Sequence, residues 1–266
     1  MRIGFIGAGN MAEALRRGMM AGGMDSGQFL ALDVNKDRNE AMRALGFQMT
    51  DQMDWLAAWA DLIILAVKPV AVPQVLGTLG AYAQLPDVLS IVVSLSQQAL
   101  TEALPNARGA ARAMPNTPMR VGEGVTAFNE NHTIDPGRFE SILAAFSHCG
   151  RTMVVPERLM SAVTAISGSG PAYVYLFIEA LADAGVREGL PRDIAYQLAA
   201  QTALGASKMV LEAGVHPAAL KDAVCSPGGT TIEAIYALEK AGLRAAVVDA
   251  VNACARKAEA MGKRKG

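Results

Sequence analysis

Three short stretches bring together residue types suited to holding an anion and a flat ring. The first is GFIGAGNMAEAL, where Gly7, Gly9 and Ala12 make the pattern G-x-G-x-x-A. The first glycine allows a tight turn, the second lets the backbone approach a pyrophosphate, and the small third residue lets a helix pack on a strand. The helix start would then direct its N–H groups at the anion. Asp33 lies 21 residues beyond Ala12. At that spacing a carboxylate accepts hydrogen bonds from an adenosine ribose, and the plain alternative is an exposed carboxylate at a strand end. An acid there repels a 2′-phosphate, whereas Asn35, Lys36 and Arg38 nearby suit one, so NADPH and NADH both fit.

The second stretch is Ala66-Val67-Lys68-Pro69, directly after the apolar run LIILAV. It falls at the carboxyl end of a strand, where open α/β sheets bind ligands, and Lys68 either lines that site or is solvated. MPNTP, residues 114–118, has the same placement after GAARA, where Asn116 and Thr117 on a loop fixed by two prolines either offer donors to a ligand or form a plain structural turn. The third stretch is SPGGTTIEAI, residues 226–235. Pro-Gly-Gly stops a helix and Thr-Thr-Ile-Glu reads as the start of another. Such a turn supplies unpaired N–H groups for an anion, and Thr231 supplies a hydroxyl that either serves a ligand or caps its own helix.

Other chemistries lack their patterns. His132, His148 and His216 are isolated, without the spacings that set metal ligands on one face. Cys149, Cys225 and Cys254 form no CxxC pair, and no nucleophile sits beside a base in a recognisable arrangement. No metal is expected.

The elements that must position these stretches divide the chain in two. Over residues 1–156, short apolar runs (RIGFI, FLALD, LIILAV, VLSIVV, GAARAM, VTAF and TMVV) alternate with helical patterns. This predicts βαβ units around a mainly parallel sheet covered by helices on both faces. Residues 157–266 are rich in alanine, leucine and glutamate, with breaks at SGSGP, GLP, GVHP and SPGG, and are expected to be all helical. Gly168, Ser169 and Gly170 would let a ligand approach a helix closely or let helices cross. The fold class is therefore α/β, an N-terminal Rossmann-type dinucleotide-binding domain followed by a C-terminal helical domain.

Composition sets the remaining bounds. The chain has 266 residues, 52% of them hydrophobic and 18% charged, which is ample for a buried core. Lys and Arg total 24 against 25 for Asp and Glu, which gives no reason to expect nucleic-acid binding. No uncharged apolar run is long enough to cross a membrane, and an odd number of unpatterned cysteines suits a reducing compartment. The expectation is a cytoplasmic protein with no membrane partner.

Taken together, IGFIGAGNMAEAL, AVKP, RAMPNTP, SGSGPAYVYLFIEAL and LKDAVCSPGGTTIEAIYALE resemble, in order and separation, the pyrroline-5-carboxylate reductases over nearly the whole chain. The resemblance implies reduction of Δ1-pyrroline-5-carboxylate to L-proline with NADPH or NADH, the last step of proline biosynthesis. It also implies a homodimer of interleaved helical domains, assembled further into decamers in many members, with the substrate site completed across the dimer interface. Transferred by position, Ile6, Gly7, Ala8, Gly9, Asn10 and Met11 form the phosphate loop, with Asp33 and Asn35 on the adenosine side. Ala66, Val67, Lys68 and Pro69 line the nicotinamide side. Ser226, Gly228, Gly229, Thr230 and Thr231 hold the substrate. Backbone N–H groups around Gly228 to Thr230 would take the carboxylate, and Thr231 would hydrogen-bond the ring nitrogen as the catalytic side chain.

The chain departs from the family pattern twice. Val92, Val93, Ser94 and Leu95 replace an Ala-Ala-Gly-Val run, and Met53 stands where an asparagine is common. Two other functions share parts of the pattern: a β-hydroxyacid-dehydrogenase-like oxidoreductase and a non-catalytic NAD(P)-sensing protein. The first carries a lysine after its glycine-rich helix, absent from GSGPAYVYLFIEA.

Overall fold

The computed structural model describes residues 1–263. Within it the chain forms two compact units, residues 170–252 and the remainder. The larger unit is built on an eight-stranded sheet in the order β3-β2-β1-β4-β5-β6-β7-β8. Its strands are β1 (Ile3–Ile6), β2 (Phe29–Leu32), β3 (Gln48–Thr50), β4 (Leu62–Leu65), β5 (Leu85–Ser90), β6 (Ala107–Met114), β7 (Gly124–Asn129) and β8 (Gly150–Val155). Every pairing is parallel except that of β6 with β7. The helices are α1 (Asn10–Ala21), α2 (Lys36–Ala44), α3 (Met53–Trp59), α4 (Val72–Gly80), α5 (Gln97–Ala103), α6 (Pro136–Ser147) and α7 (Met160–Val163).

The continuous apolar runs arise because both sheet faces are covered. Ile3 and Phe5 of β1 enter one core with Leu15 and Met19 of α1 and Phe146 of α6. Ile6 enters the other, with Leu56 of α3, Leu79 of α4 and Leu100 of α5. The reversal of strand order between β1 and β4 opens a crevice at the carboxyl ends of the strands, the usual ligand position in such a sheet.

Two expectations need correction. The run VLSIVV is not one strand: β5 ends at Ser90. Residues 91–93 stay apolar because Val92 is buried in the second core while Ile91 and Val93 line a cavity. The short edge strand β3 has no apolar run to betray it, since only its last residue is buried.

The second unit is helical, as expected. It comprises α8 (Gly170–Arg187), α9 (Arg192–Ala213), α10 (Pro217–Val224), α11 (Thr230–Lys240) and the start of α12 (Leu243–Lys263). Ala182, Ala195 and Ala199 are its small buried cluster, where α8 packs on α9. The expected division at 156 and the division into compact units differ by two segments, residues 157–169 and the part of α12 from residue 253 on, both grouped with the sheet unit. Residues 157–169 pack with the sheet unit because Glu157 pairs with Arg112 and accepts from Asn129, and Met160 is buried.

Candidate active site

At the end of β1 the chain turns through Gly7, whose φ is +96°. A Cβ there would sit 2.6 Å from the Ala66 carbonyl oxygen, so only glycine lets the loop lie this close to β4. The Gly7 N–H donates to Leu32 O at 2.8 Å, and the Ile6 carbonyl accepts from Ala66 N–H at 2.8 Å. Ile6 thus contributes backbone, its side chain being buried in the core. Gly9 is the N-cap of α1 with no side chain to fill the role, and a Cβ there would meet nothing within 4 Å. The N–H groups of Gly9, Asn10, Met11 and Ala12 make no hydrogen bond within the described chain. Open space in front of unpaired N–H groups at a helix start is a cradle for an anion.

The adenosine side is more structured than its sequence suggests. Asp33 Oδ2 accepts from Ala8 N–H at 2.8 Å and Oδ1 from Asn35 N–H at 2.9 Å. Asn35 caps α2, its side chain accepting from Arg38 N–H at 3.0 Å. Arg38 is turned inward: Nε donates to Ala8 O at 2.6 Å, and Nη2 lies 3.2 Å from Glu13 Oε2. Glu13, only 6% exposed, also pairs with Arg17 and Arg120. Nothing in the spacing of these residues signals that charge cluster.

Beside the phosphate loop lies a cavity of about 300 Å³. Met11, Ala66, Val67, Ile91, Val93 and Met114 supply an apolar lining, completed by Pro115, Thr164, Gly168 and Ser169. This shape and chemistry suit the flat nicotinamide ring, and the phosphate cradle and Asp33 suit the rest of a dinucleotide. Of the four residues expected on this side, Ala66 and Val67 line the cavity, while Lys68 and Pro69 are exposed outside it. Ile91 and Val93 fall in the segment where the chain departs from the family pattern, and they keep the wall apolar.

The far wall is a π-helical turn, Thr164–Gly168, a distortion that recurs at functional sites. Asn116, 6% exposed, fixes the loop opposite. Its Nδ2 donates to Ser167 O at 3.0 Å, and its Oδ1 accepts from Val125 N–H at 2.8 Å. The side chain read as a possible ligand donor is therefore a clamp between loop and π turn. Arg112 holds the neighbouring wall, donating to Val93 O at 2.8 Å.

In the helical unit, the SPGGTT turn links α10 to α11. Gly228 has φ +65°, and the Gly229 N–H closes the turn on Ser226 O at 3.0 Å. That N–H is thereby committed, which leaves the first-turn N–H groups of α11 for an anion. A side chain on Gly229 would collide with Ser226 Oγ. Gly229 is the N-cap and no side chain caps the helix, so Thr231 does not serve that purpose. The Thr231 side chain is half-buried and its hydroxyl makes no hydrogen bond among the described residues.

The His132 imidazole stacks on Phe139 and its pKa is lowered by burial. Burial pushes the Cys149 thiol up to about 12. No group of three metal-ligating side chains occurs among the described residues.

Sequence comparison accounts for both halves. The family model described as pyrroline-5-carboxylate reductase dimerisation matches residues 157–261, and that described as NADP oxidoreductase, coenzyme F420-dependent, matches residues 2–98. The chain is 42% identical over 265 residues to the pyrroline-5-carboxylate reductase of Escherichia coli K12, with 98% of each chain covered. It is 41% identical over 266 residues to the enzyme of Synechocystis, with 99% of each covered. The crystal structure of Plasmodium falciparum pyrroline carboxylate reductase with NADP bound superposes with a TM-score of 0.88 at 34% identity, over 99% of this chain and 98% of that one. On this similarity along its full length, the chain belongs to the pyrroline-5-carboxylate reductase family.

Proposed function

We propose that this chain reduces the C=N bond of 1-pyrroline-5-carboxylate to give L-proline, the final step of proline biosynthesis, using NADPH or NADH. The observation that carries the proposal is the 42% identity to an enzyme of that name across 98% of both chains. The cradle of unpaired N–H groups at α1, the apolar cavity beside it and the uncommitted Thr231 hydroxyl are the physical support.

The bound dinucleotide supplies the hydride. The protein's part is to orient and to hydrogen-bond. The phosphate loop from Ile6 to Met11, with Asp33 and Asn35, fixes the adenosine and pyrophosphate end, and Ala66 and Val67 the nicotinamide end. In the turn Ser226 to Thr231, the N–H groups at the start of α11 hold the substrate carboxylate, and Thr231 Oγ1 hydrogen-bonds the ring nitrogen, accepting from its N–H once that nitrogen is protonated. Threonine is too weak an acid to deliver the proton itself, so the proton arrives with the substrate iminium or from water. Most of the rate then comes from holding hydride donor and acceptor in line.

Residues 157–266 act as the dimerisation and substrate-binding domain and residues 1–156 as the dinucleotide domain, in a homodimer whose larger assembly is the decamer. The working compartment is the cytoplasm, a reading supported by three free cysteines and by the lack of any described helix long and apolar enough to cross a membrane. The test is absorbance at 340 nm with 1-pyrroline-5-carboxylate and each cofactor in turn. Oxidation with formation of proline is expected. Cofactor binding without turnover would instead make the chain a dinucleotide sensor.

A further inference from the structure

We infer that this chain selects NADH over NADPH, with Asp33 as the selecting residue and Arg38 withheld from the 2′ position. The inference rests on the proposed cofactor site and deepens it.

Asp33 follows the last residue of β2, and its two oxygens accept separately from Ala8 N–H at 2.8 Å and Asn35 N–H at 2.9 Å. Swinging the carboxylate away would strand the Ala8 amide inside the phosphate loop, so the charge is fixed where it stands. Each carboxylate oxygen keeps a second lone pair. That is what a ribose diol donates into at this position of the fold. A 2′-phosphate would bring a nearly doubly negative group with acceptors only against the same carboxylate.

A basic side chain could offset that repulsion, and the candidates are Lys36 and Arg38 at the start of α2, Arg43 lying in its last turn. Arg38 is the best placed of these and is already committed, with Nε 2.6 Å from Ala8 O and Nη2 3.2 Å from Glu13 Oε2. Releasing it would leave buried Glu13 one partner short and the Ala8 carbonyl without its donor. Lys36 is an exposed point charge on a flexible stem, and Asp37 beside it adds a negative charge to the same first turn. Asn35 has its side-chain oxygen engaged in capping α2. The environment is thus an immobile acid with its strongest base turned inward, although a relative of similar fold holds NADP.

The experiment is steady-state reduction of 1-pyrroline-5-carboxylate with NADH and with NADPH on the full chain, repeated for Asp33→Asn and Arg38→Ala. For the unaltered protein kcat/KM should be at least tenfold higher with NADH. Asp33→Asn keeps the size and an acceptor for Ala8 N–H, gives up the acceptor for Asn35 N–H, and removes the charge. It should shrink the NADH-to-NADPH ratio by tenfold or more, chiefly through the KM for NADPH. Arg38→Ala should lower both efficiencies alike and leave the ratio within about twofold, because its lost contacts are to the protein. The ratio is the readout because a merely loosened loop would weaken both cofactors equally. A preference for NADPH, an unmoved ratio in Asp33→Asn, or a loss confined to NADPH in Arg38→Ala would each overturn the inference. If a variant does not fold, the ratio of NADH and NADPH dissociation constants for the unaltered protein decides. The same ratio decides if neither cofactor supports turnover, an outcome that would sink the proposed activity and not this selectivity.

Discussion

The two compact units differ in where their apolar surface goes. In the sheet unit the large side chains of both cores, Phe5, Phe29, Phe128 and Phe146 among them, are completely buried by the same chain. In the helical unit the buried cluster consists of three alanines, while Leu176 is 67% and Tyr236 65% exposed. Long helices carrying uncovered apolar side chains need a second surface, and a second copy of the same chain supplies one of matching character. One unit is thus stable by its own packing, and the other is complete only in the dimer that its family model describes.

That contrast can be broken most directly at Leu176. A charge on the exposed face of α8, as in Leu176→Glu, should break the dimer, lowering the mass seen by light scattering, and reduce activity by a hundredfold or more. A dimer of normal mass and activity would remove the basis of the comparison. In the sheet unit the corresponding damage is local to the chain. Leu15→Ala, at a fully buried position of α1, should lower unfolding free energy by about 2–5 kcal/mol while the assembly stays dimeric. Chemical denaturation beside light scattering separates the two effects.

Thr231→Ala sharpens the comparison by touching neither core. It should lower kcat/KM by roughly ten- to several-hundredfold, since a hydrogen bond to a charged partner contributes about 1.5–3 kcal/mol. An unchanged value would remove Thr231 from its assigned role. The smallest expected effect lies at the amino end of the sheet, where the hydrogen bond from Arg2, 2.9 Å from Asp61 Oδ1, holds the Asp61 carboxyl below the usual carboxylate range. A depressed pKa stabilises the fold above the unfolded-state value and loses that contribution as pH falls through the folded-state value. Because the pair is about half exposed, Asp61→Asn should cost only about 0.2–1 kcal/mol at neutral pH. The gap between variant and unaltered protein should close in acid, and a gap that widened there would reverse the assignment.

What the sequence makes legible follows from distance along the chain. Gly7 and Gly9 announce themselves because the turn, the strand before it and the helix after it are contiguous. The helical unit is similarly plain from its breaks at Gly-Pro and Pro-Gly steps. The parts that sequence leaves open are set by contacts between remote segments. Asn116 has its role from Ser167, 51 residues away, and Glu13 from Arg38 and Arg120. An isolated Asn in a proline-bounded loop reads equally well as a ligand donor or a brace, and only the partner decides. The segment Ile91–Val93 looked like more strand because a cavity wall and a strand core both demand apolar residues. The Gly229 N–H looked free for a ligand until the turn closed on Ser226.

The π turn at Thr164–Gly168 sets a phase as well as a wall. Widening one turn from the usual spacing inserts in effect a single residue into the helical register, and one residue advances an α-helix by about 100°. With that extra residue, Thr164 and Gly168 both line the cavity while Met160 and Ala165 stay buried. A one-residue deletion within that turn would swing Gly168 round by about 100° and give the cavity a different wall from the same residues.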